Sequence, residues 1–381
     1  TGWFNHLGTV SGENYSANLS YVTCRANFVL SQLPTQVAFA ITSNGGADFS
    51  INQPTTTLTG DGGINVREIF IEGVDIPLPV TWTDANSWQA TLPLRPGANA
   101  FKILATNHQG EVIGDDTITI TNTGTASPAN ASNLAISEIM YHPADGNQEF
   151  IELLNLSTTG TVVLSGIRFT NGIDYVFPSG TTLDPGERIV VYQSQFANGT
   201  RLSNSGEKIT LVDVSGSVIA DFSYSDNNRW PTSADGGGFS LVLIDPTGNG
   251  NPDLGNEWRP SVSGGGTPGG SDSTAFAGGN AGKLIAHALP FPGKRINATL
   301  DLDGNLVIAM RRNLAADDVI FSFDYSTDLS IWQTIPPGTD IQLSSRNNHG
   351  DGTETLFLRT GGLSPGDGKR TTAVRVGISL R

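Results

Sequence analysis

Cysteine is almost missing from this chain: Cys24 stands alone among 381 residues. One thiol excludes an intrachain disulfide and a multi-cysteine zinc cluster. Histidine is scarce too, and His6, His108, His142, His287 and His349 are too scattered for a two-histidine metal motif. Positive charge is short: 21 Lys and Arg against 36 Asp and Glu leave a net charge of −15. Such a surface repels phosphate backbones and anionic lipid, which argues against nucleic-acid and membrane-surface partners. No apolar run approaches the length of about 18 residues that a spanning helix needs, so no membrane span is expected. The opening Thr1-Gly2-Trp3-Phe4 carries neither an initiator Met nor a cleavable signal pattern, which reads as an excised piece of a longer chain.

What is abundant is punctuation. The chain holds 46 Gly and 20 Pro with only 15% charged residues, a loop-dense, strand-rich composition on a length that suggests about two to four domains. Acidity, low charge and Thr/Ser/Asn richness suit an extracellular or cell-surface protein whose domains are large enough to fold without disulfides.

One helix is expected, over residues 18–33, with Leu19, Val22, Ala26, Phe28, Val29 and Leu33 near one face and Pro34 as its stop. It reads as the remnant of a preceding domain (1–35) or as a cap on the next. From 36 to 124 short strands recur between turn signals. Asp116-Thr-Ile-Thr-Ile-Thr121 alternates apolar and polar faces with the period of a half-buried strand. Seven such runs in about ninety residues have the rhythm of an immunoglobulin-like sandwich. The phrase Pro93-Leu94-Arg95-Pro96-Gly97-Ala98-Asn99 resembles one found in bacterial Ig-like modules. A linker rich in Ala, Ser and Asn then leads to a second β domain, over 133–270.

In that domain Ile136-Ser-Glu-Ile-Met-Tyr-His-Pro143, Glu149-Phe-Ile-Glu-Leu153 with Asn155, Leu183-Asp-Pro-Gly186, Leu202-Ser-Asn-Ser-Gly-Glu207, Trp230-Pro231 and Gly266-Thr-Pro-Gly269 follow in order. Together they resemble a bacterial lamin-tail domain. The resemblance implies a compact Ig-type sandwich and no catalytic residues. The order of modules is similar to the C-terminal region of CotH-like kinase family surface and secreted proteins. The motifs of that kinase cannot be mapped onto residues 1–33, so no phosphotransfer is implied. Residues 264–282 read as a Gly/Ser-rich linker, and 284–381 as a C-terminal β domain with hairpin signals at Asp303-Gly304, Pro337-Gly338 and Asp351-Gly352. The expected fold is therefore all-β, with three tandem Ig-like β-sandwiches and one short N-terminal helix.

Motifs of chemistry are sparse. Gly264-Gly-Gly-Thr-Pro-Gly269 satisfies G-x-G-x-x-G without the strand and helix that a dinucleotide site requires. Ser205-Gly-Glu-Lys208 lacks the partner motifs of an S-x-x-K hydrolase. Glu149 and Glu152 fall on opposite faces of one strand and cannot flank a glycosidic bond, so Glu152 and Asn155 are expected to hold loops. Asp245, Asn249, Asn251 and Asp253 gather hard oxygens within one loop and make a calcium candidate, although the spacing is not an EF-hand and an Asx-turn is the simpler reading. The six tryptophans are expected in cores rather than on sugar-stacking platforms.

The sequence thus points to a non-catalytic extracellular multi-domain protein for cell-surface binding, spacing or self-assembly, as a filament or layer. Its partner would be a protein or a second copy joined through β edges, with a surface polysaccharide as a further partner. The alternative is a carbohydrate-binding accessory region of a larger secreted enzyme or CotH-like kinase.

Overall fold

The computed structural model describes residues 2–32, 37–144, 148–227, 229–247, 250–290, 296–302, 305–326, 328–335, 341–360 and 373–381. The chain divides into two compact units, Thr1–Gly124 and Thr125–Arg381.

The first unit opens with two helices, α1 (Gly2–Ser11) and α2 (Ser16–Gln32). Helix α2 is the expected one; α1 corrects the reading of a single helix. No residue of either helix is buried, so α2 does not cap the strands that follow it. Phe28, Val29 and Leu30 are successive and all exposed, and three neighbours spread over most of a helix circumference cannot form one core-facing stripe. The helix stop at Pro34 lies outside the described residues, as do Asp303-Gly304 and Pro337-Gly338.

Eight strands follow: β1 (Ala40–Ile41), β2 (Phe49–Ile51), β3 (Thr55–Asp61), β4 (Glu68–Ile71), β5 (Thr81–Trp82), β6 (Ser87–Pro93), β7 (Gly97–Thr106) and β8 (Val112–Asn122). They form two four-stranded sheets, β1-β3-β6-β5 and β2-β8-β7-β4. Between them lies a core that includes Leu58, Ile69, Trp88, Leu92, Ile103 and Ile120. On β8, Ile118 and Ile120 are buried while Thr117, Thr119 and Thr121 keep solvent contact, as the alternation predicts. The turn before β7 is stapled by Asn99, whose amide donates to the Arg95 carbonyl at 2.8 Å and accepts from the Arg95 N–H at 3.0 Å. Gly97 takes a φ of 94° there, a conformation that favours glycine.

The second unit begins with β9 (Ser127–Pro128), β10 (Leu134–Met140), β11 (Phe150–Asn155), β12 (Val162–Val163), β13 (Arg168–Asn171), β14 (Thr182–Leu183), β15 (Arg188–Tyr192), β16 (Gly206–Val212), β17 (Val218–Ser225), β18 (Leu241–Leu243) and β19 (Trp258–Pro260). The sheets run β15-β11-β10-β18-β19, β14-β12-β9 and β13-β16-β17. Ile139, Ile151, Leu153, Phe177, Leu211 and Trp258 belong to the core that they share. Residues 175–177, expected as a strand, contribute an isolated bridge from Val176 to Arg168.

Helix α3 (Ala281–Ala288) and strands β20 (Ile296–Leu300), β21 (Leu306–Asn313), β22 (Val319–Ser326), β23 (Gln333–Thr334), β24 (Ile341–Asn348), β25 (Thr353–Thr360) and β26 (Ala373–Leu380) complete the unit. Sheets β20-β21-β25-β24 and β23-β22-β26 enclose Ile308, Met310, Val319 and Leu358, with Leu284 and Ala288 of α3 packed against them. The expected strand over 300–310 is instead a hairpin in which Leu300 faces Leu306. Helix α3 was not anticipated because it emerges from a Gly/Ser-rich stretch. Asn280 caps it by accepting from the Lys283 N–H at 2.9 Å, the usual role of Asn at a helix start. The protein is all-β with three sandwiches, and its helices are three rather than one among the described residues.

Candidate functional site

Strand β11 is buried along its whole length and β10 nearly so, a pattern that one solvated sheet face cannot produce. Ile139, Ile151, Leu153 and Val191 face the core. Adjacent residues therefore point to the other face, where Glu138, Met140, Phe150 and Glu152 are also buried. Residues 264–273, read from composition as linker but including the closing lamin-tail phrase Gly266-Thr-Pro-Gly269, cover that face. Glu138 and Glu152 are directly opposed on neighbouring strands, and each holds the covering segment. Glu138 accepts from the Thr267 N–H at 3.0 Å and from the Ser240 hydroxyl. Glu152 accepts from the Gly269 N–H at 2.7 Å and the Ser137 hydroxyl at 2.7 Å, with Arg188 3.1 Å away. Burial pushes the Glu138 carboxyl up to about 7, against the lowering effect of its two hydrogen bonds. Burial raises Glu152 as well, opposed by Ser137, Gly269 and Arg188.

The row continues across the sheet, with Glu138 facing Val242 and Val242 facing Arg259. Arg259 is 1% exposed. Its guanidinium grips Asp317 with two hydrogen bonds of 2.6 Å and also binds Asp272. Burial disfavours its charge, but Asp317 and Asp272 outweigh that and raise its pKa, so it stays protonated. Asp272 in turn accepts from Val262 N–H at 2.9 Å and Thr267 hydroxyl at 2.7 Å. A cavity of about 70 Å³ remains among Ser137, Glu138, Glu152, Arg188, Arg259 and Asp272. That is well below the ~300–1,000 Å³ of small-molecule sites.

A second buried group joins the lamin-tail-like sandwich to the C-terminal one. Glu354 is fully buried between Arg312, at 2.6 Å, and Arg346, at 2.8 Å. Burial alone would raise its carboxyl; the two guanidiniums overcome this and hold it at about 2. Arg346 also donates to the Trp258 carbonyl at 2.9 Å.

At the other end of the same sheet face the character changes. Tyr192, Phe150 and Met140 are aligned across β15, β11 and β10. The Tyr192 and Phe150 rings meet edge-on, with centroids 6.0 Å apart at 63°. With Gln148, Ser194, Gly265 and Pro268 they line an open groove of about 530 Å³. Gln148, Tyr192, Ser194, Gly265 and Pro268 are exposed; Met140 and Phe150 form the buried floor.

Three of the four calcium candidates, Asp245, Asn251 and Asp253, have partners within the chain. Asp245 binds Arg381 at 2.7 Å and the Thr247 hydroxyl. Asp253 accepts from the Ser223 N–H at 2.7 Å, and Asn251 accepts from the Asp253 N–H at 3.0 Å. Asn249 lies outside the described residues. Thus Asp245 already has a cationic partner, and the Asn251 contact is an Asx-turn. No group of three or more His, Cys, Asp or Glu suited to a metal occurs among the described residues.

Glu149 sits just before β11 and accepts from the Leu202 N–H at 2.8 Å. Asn155 donates to the carbonyls of Gly160, Leu183 and Asp184, so the side chains expected to hold loops do so. Trp88, Trp230 and Trp258 are buried, whereas Trp3 and Trp82 are exposed. Glu152 was expected to hold a loop, but its opposition to Glu138 was missed because the two lie fourteen positions apart and meet only through strand register. The available signal was one acid within each of two mostly apolar strands, beside Ser137 in the first.

Residues 127–226 match the family model described as Lamin Tail Domain, which takes in β9 to β17. Among solved structures the chain is similar to fibronectin(III)-like modules of Clostridium thermocellum CbhA (11% identity, 49% of this chain and 90% of that chain, TM-score 0.17). It is also similar to Bacteroides ovatus mixed-linkage glucan utilization locus SGBP-B in complex with mixed-linkage heptasaccharide (12% identity, 82% and 72%, TM-score 0.15). A third is the Yersinia pseudotuberculosis adhesin InvE (10% identity, 84% and 96%, TM-score 0.19). No curated protein matches the chain. No helix among the described residues is long and apolar enough to cross a membrane.

Proposed function

We propose that this chain is a non-catalytic extracellular binding and spacing protein that associates with further copies of itself by strand addition along β26. The observation that carries the reading is the contrast between β26 and other sheet edges. Strands β1, β2, β4 and β5 are edges of two to four residues. On β17 the Ser223 N–H is already bonded to Asp253, and β24 is engaged through Arg346 and through Asn348, which donates to Ser233. Strand β26 is eight residues long and, among the described residues, has a hydrogen-bonded neighbour strand on one side. Its one charged residue, Arg375, is bound to Asp324 at 2.7 Å and lies over Trp332. A long edge with little charge is a template for another strand.

The buried Arg259 and Glu354 groups support a structural rather than catalytic use of ionisable residues, since both bind elements of the chain together. The order of an Ig-like module and a lamin-tail-like module also accommodates an accessory place beside a CotH-like kinase domain. Light scattering over a concentration series tests self-association: growth of the scattering particle is expected, and Ser379→Lys, which sets a charge on the exposed side of the edge, should suppress it. A chain that stays monomeric throughout overturns the reading. Reproducible turnover of a nucleotide, ester or polysaccharide would overturn the non-catalytic part.

A further inference from the structure

We propose that the groove between Tyr192 and Pro268 is a binding site for a neutral saccharide. The inference goes beyond self-association through β26 and does not depend on it. Three observations converge. First, among the described residues the lining carries no carboxylate, ammonium or guanidinium, although the chain as a whole bears a charge of −15. An uncharged groove on a strongly acidic protein fits an uncharged occupant, whereas a cationic partner would gain more on the surrounding surface. Second, Tyr192 offers a large exposed ring whose orientation is set by edge contact with buried Phe150. A ring fixed in this way presents apolar area with little ordering cost, and its hydroxyl adds a polar handle. Third, Gln148 and Ser194 put an amide and a hydroxyl beside that ring. A pyranose needs this pairing: an apolar C–H face against an aromatic surface and hydrogen-bonding groups round its rim.

The opposite wall is built rather than incidental. Pro268 stands between Thr267 and Gly269, whose N–H groups are bound by buried Glu138 and Glu152. Two side chains that are each at least 98% buried (exposures of 2% and 1%) therefore fix the backbone on both sides of the wall residue. Preorganisation of this kind lowers the ordering cost of binding.

The test is isothermal titration of the full chain with cellohexaose, mannohexaose, xylohexaose and chitohexaose, with hexagalacturonate as the charged comparison and a decaproline peptide as the rival occupant. Saturable binding of at least one neutral hexasaccharide is expected, together with no binding of hexagalacturonate. Tyr192→Ala should weaken the affinity by about tenfold or more, Tyr192→Phe should retain most of it, and Gln148→Ala should fall between them. Unchanged thermal midpoints verify that the variants are folded. The proposal is overturned by the absence of neutral-saccharide binding at millimolar concentration, by binding that Tyr192→Ala leaves intact, or by decaproline taking the site instead. Light scattering of the same samples reports self-association separately, so failure here and failure at β26 are distinguishable.

Discussion

Arg346 donates a 2.9 Å hydrogen bond to the backbone carbonyl of Trp258, 88 residues earlier in the chain. The same guanidinium binds Glu354 through two further hydrogen bonds, so one side chain ties the C-terminal sandwich to the last strand of the lamin-tail-like sheet. Removing one partner from a buried ionic group leaves the other desolvated and poorly paired. Arg346→Ala is expected to destabilise the second unit by about 3–5 kcal/mol, measured by denaturant unfolding. Loss of less than about 1 kcal/mol, the scale of an exposed pair, would mean that the group bears little of the connection.

Gly266 and Gly265 make an internal comparison. Both take positive φ, 73° and 89°. A Cβ on Gly266 would fall 2.3 Å from a Glu138 carboxylate oxygen and 3.0 Å from the Phe150 ring, whereas one on Gly265 meets open space. Gly265→Ala should carry only the backbone strain, on the order of 1 kcal/mol, and Gly266→Ala that strain plus displacement of the covering segment. Thermal midpoints of the two variants check the order; equal losses would contradict it.

The raised Glu138 carboxyl makes stability depend on pH. Its folded pKa of about 7 lies above the ordinary value of 4.5, so between these two the folded chain holds a proton that the unfolded chain has released. Its favourable contribution is complete below about pH 4.5 and is lost as pH rises to 7, roughly 3 kcal/mol in all. Glu138→Gln should flatten this slope and raise stability at pH 8 relative to the parent. Glu354 acts oppositely: its folded value of about 2 lies below 4.5, so its contribution is present above 4.5 and declines as pH falls toward 2. Unfolding free energies measured at steps from pH 3 to pH 8, for parent and Glu138→Gln, separate the two.

Chelation should leave the thermal midpoint unchanged. Asp245 is held below the usual carboxylate range, where burial is outweighed by Thr247 and Arg381, and Asp253 is engaged with Ser223. A fall of several degrees on adding EDTA, reversed by calcium, would establish this loop as a calcium site.

Much of the fold was legible because it is local. The Thr/Ile alternation of β8, the turn at Asn99 and the ordered phrases from Ile136 onward each sit within a few residues. The candidate site was less legible because it is made by register and long-range contact. Glu138 was inconspicuous until β10 was set beside β11, and Arg259 meets Asp317 across 58 positions. At 264–273 glycine-rich composition read as a linker, while the phrase Gly266-Thr-Pro-Gly269 placed most of the same segment in the lamin-tail resemblance. Gly266 is small there because a carboxylate and a ring occupy the space that a side chain would need. Helix α1 sets Trp3, Leu7 and Val10 at helical spacing, a stripe of only ten residues that was not read as a helix.

The hairpin-free pairing of β26 with β22 has a mechanical consequence. The two strands run antiparallel from Val319 against Leu380 to Ser326 against Ala373, and Arg381, next after β26, is fastened to Asp245. Tension directed along β26 would load the rungs of this ladder together in shear instead of opening them singly, with the arginine fastening as an additional restraint at one end. In that loading geometry the second unit would yield abruptly rather than by gradual unzipping.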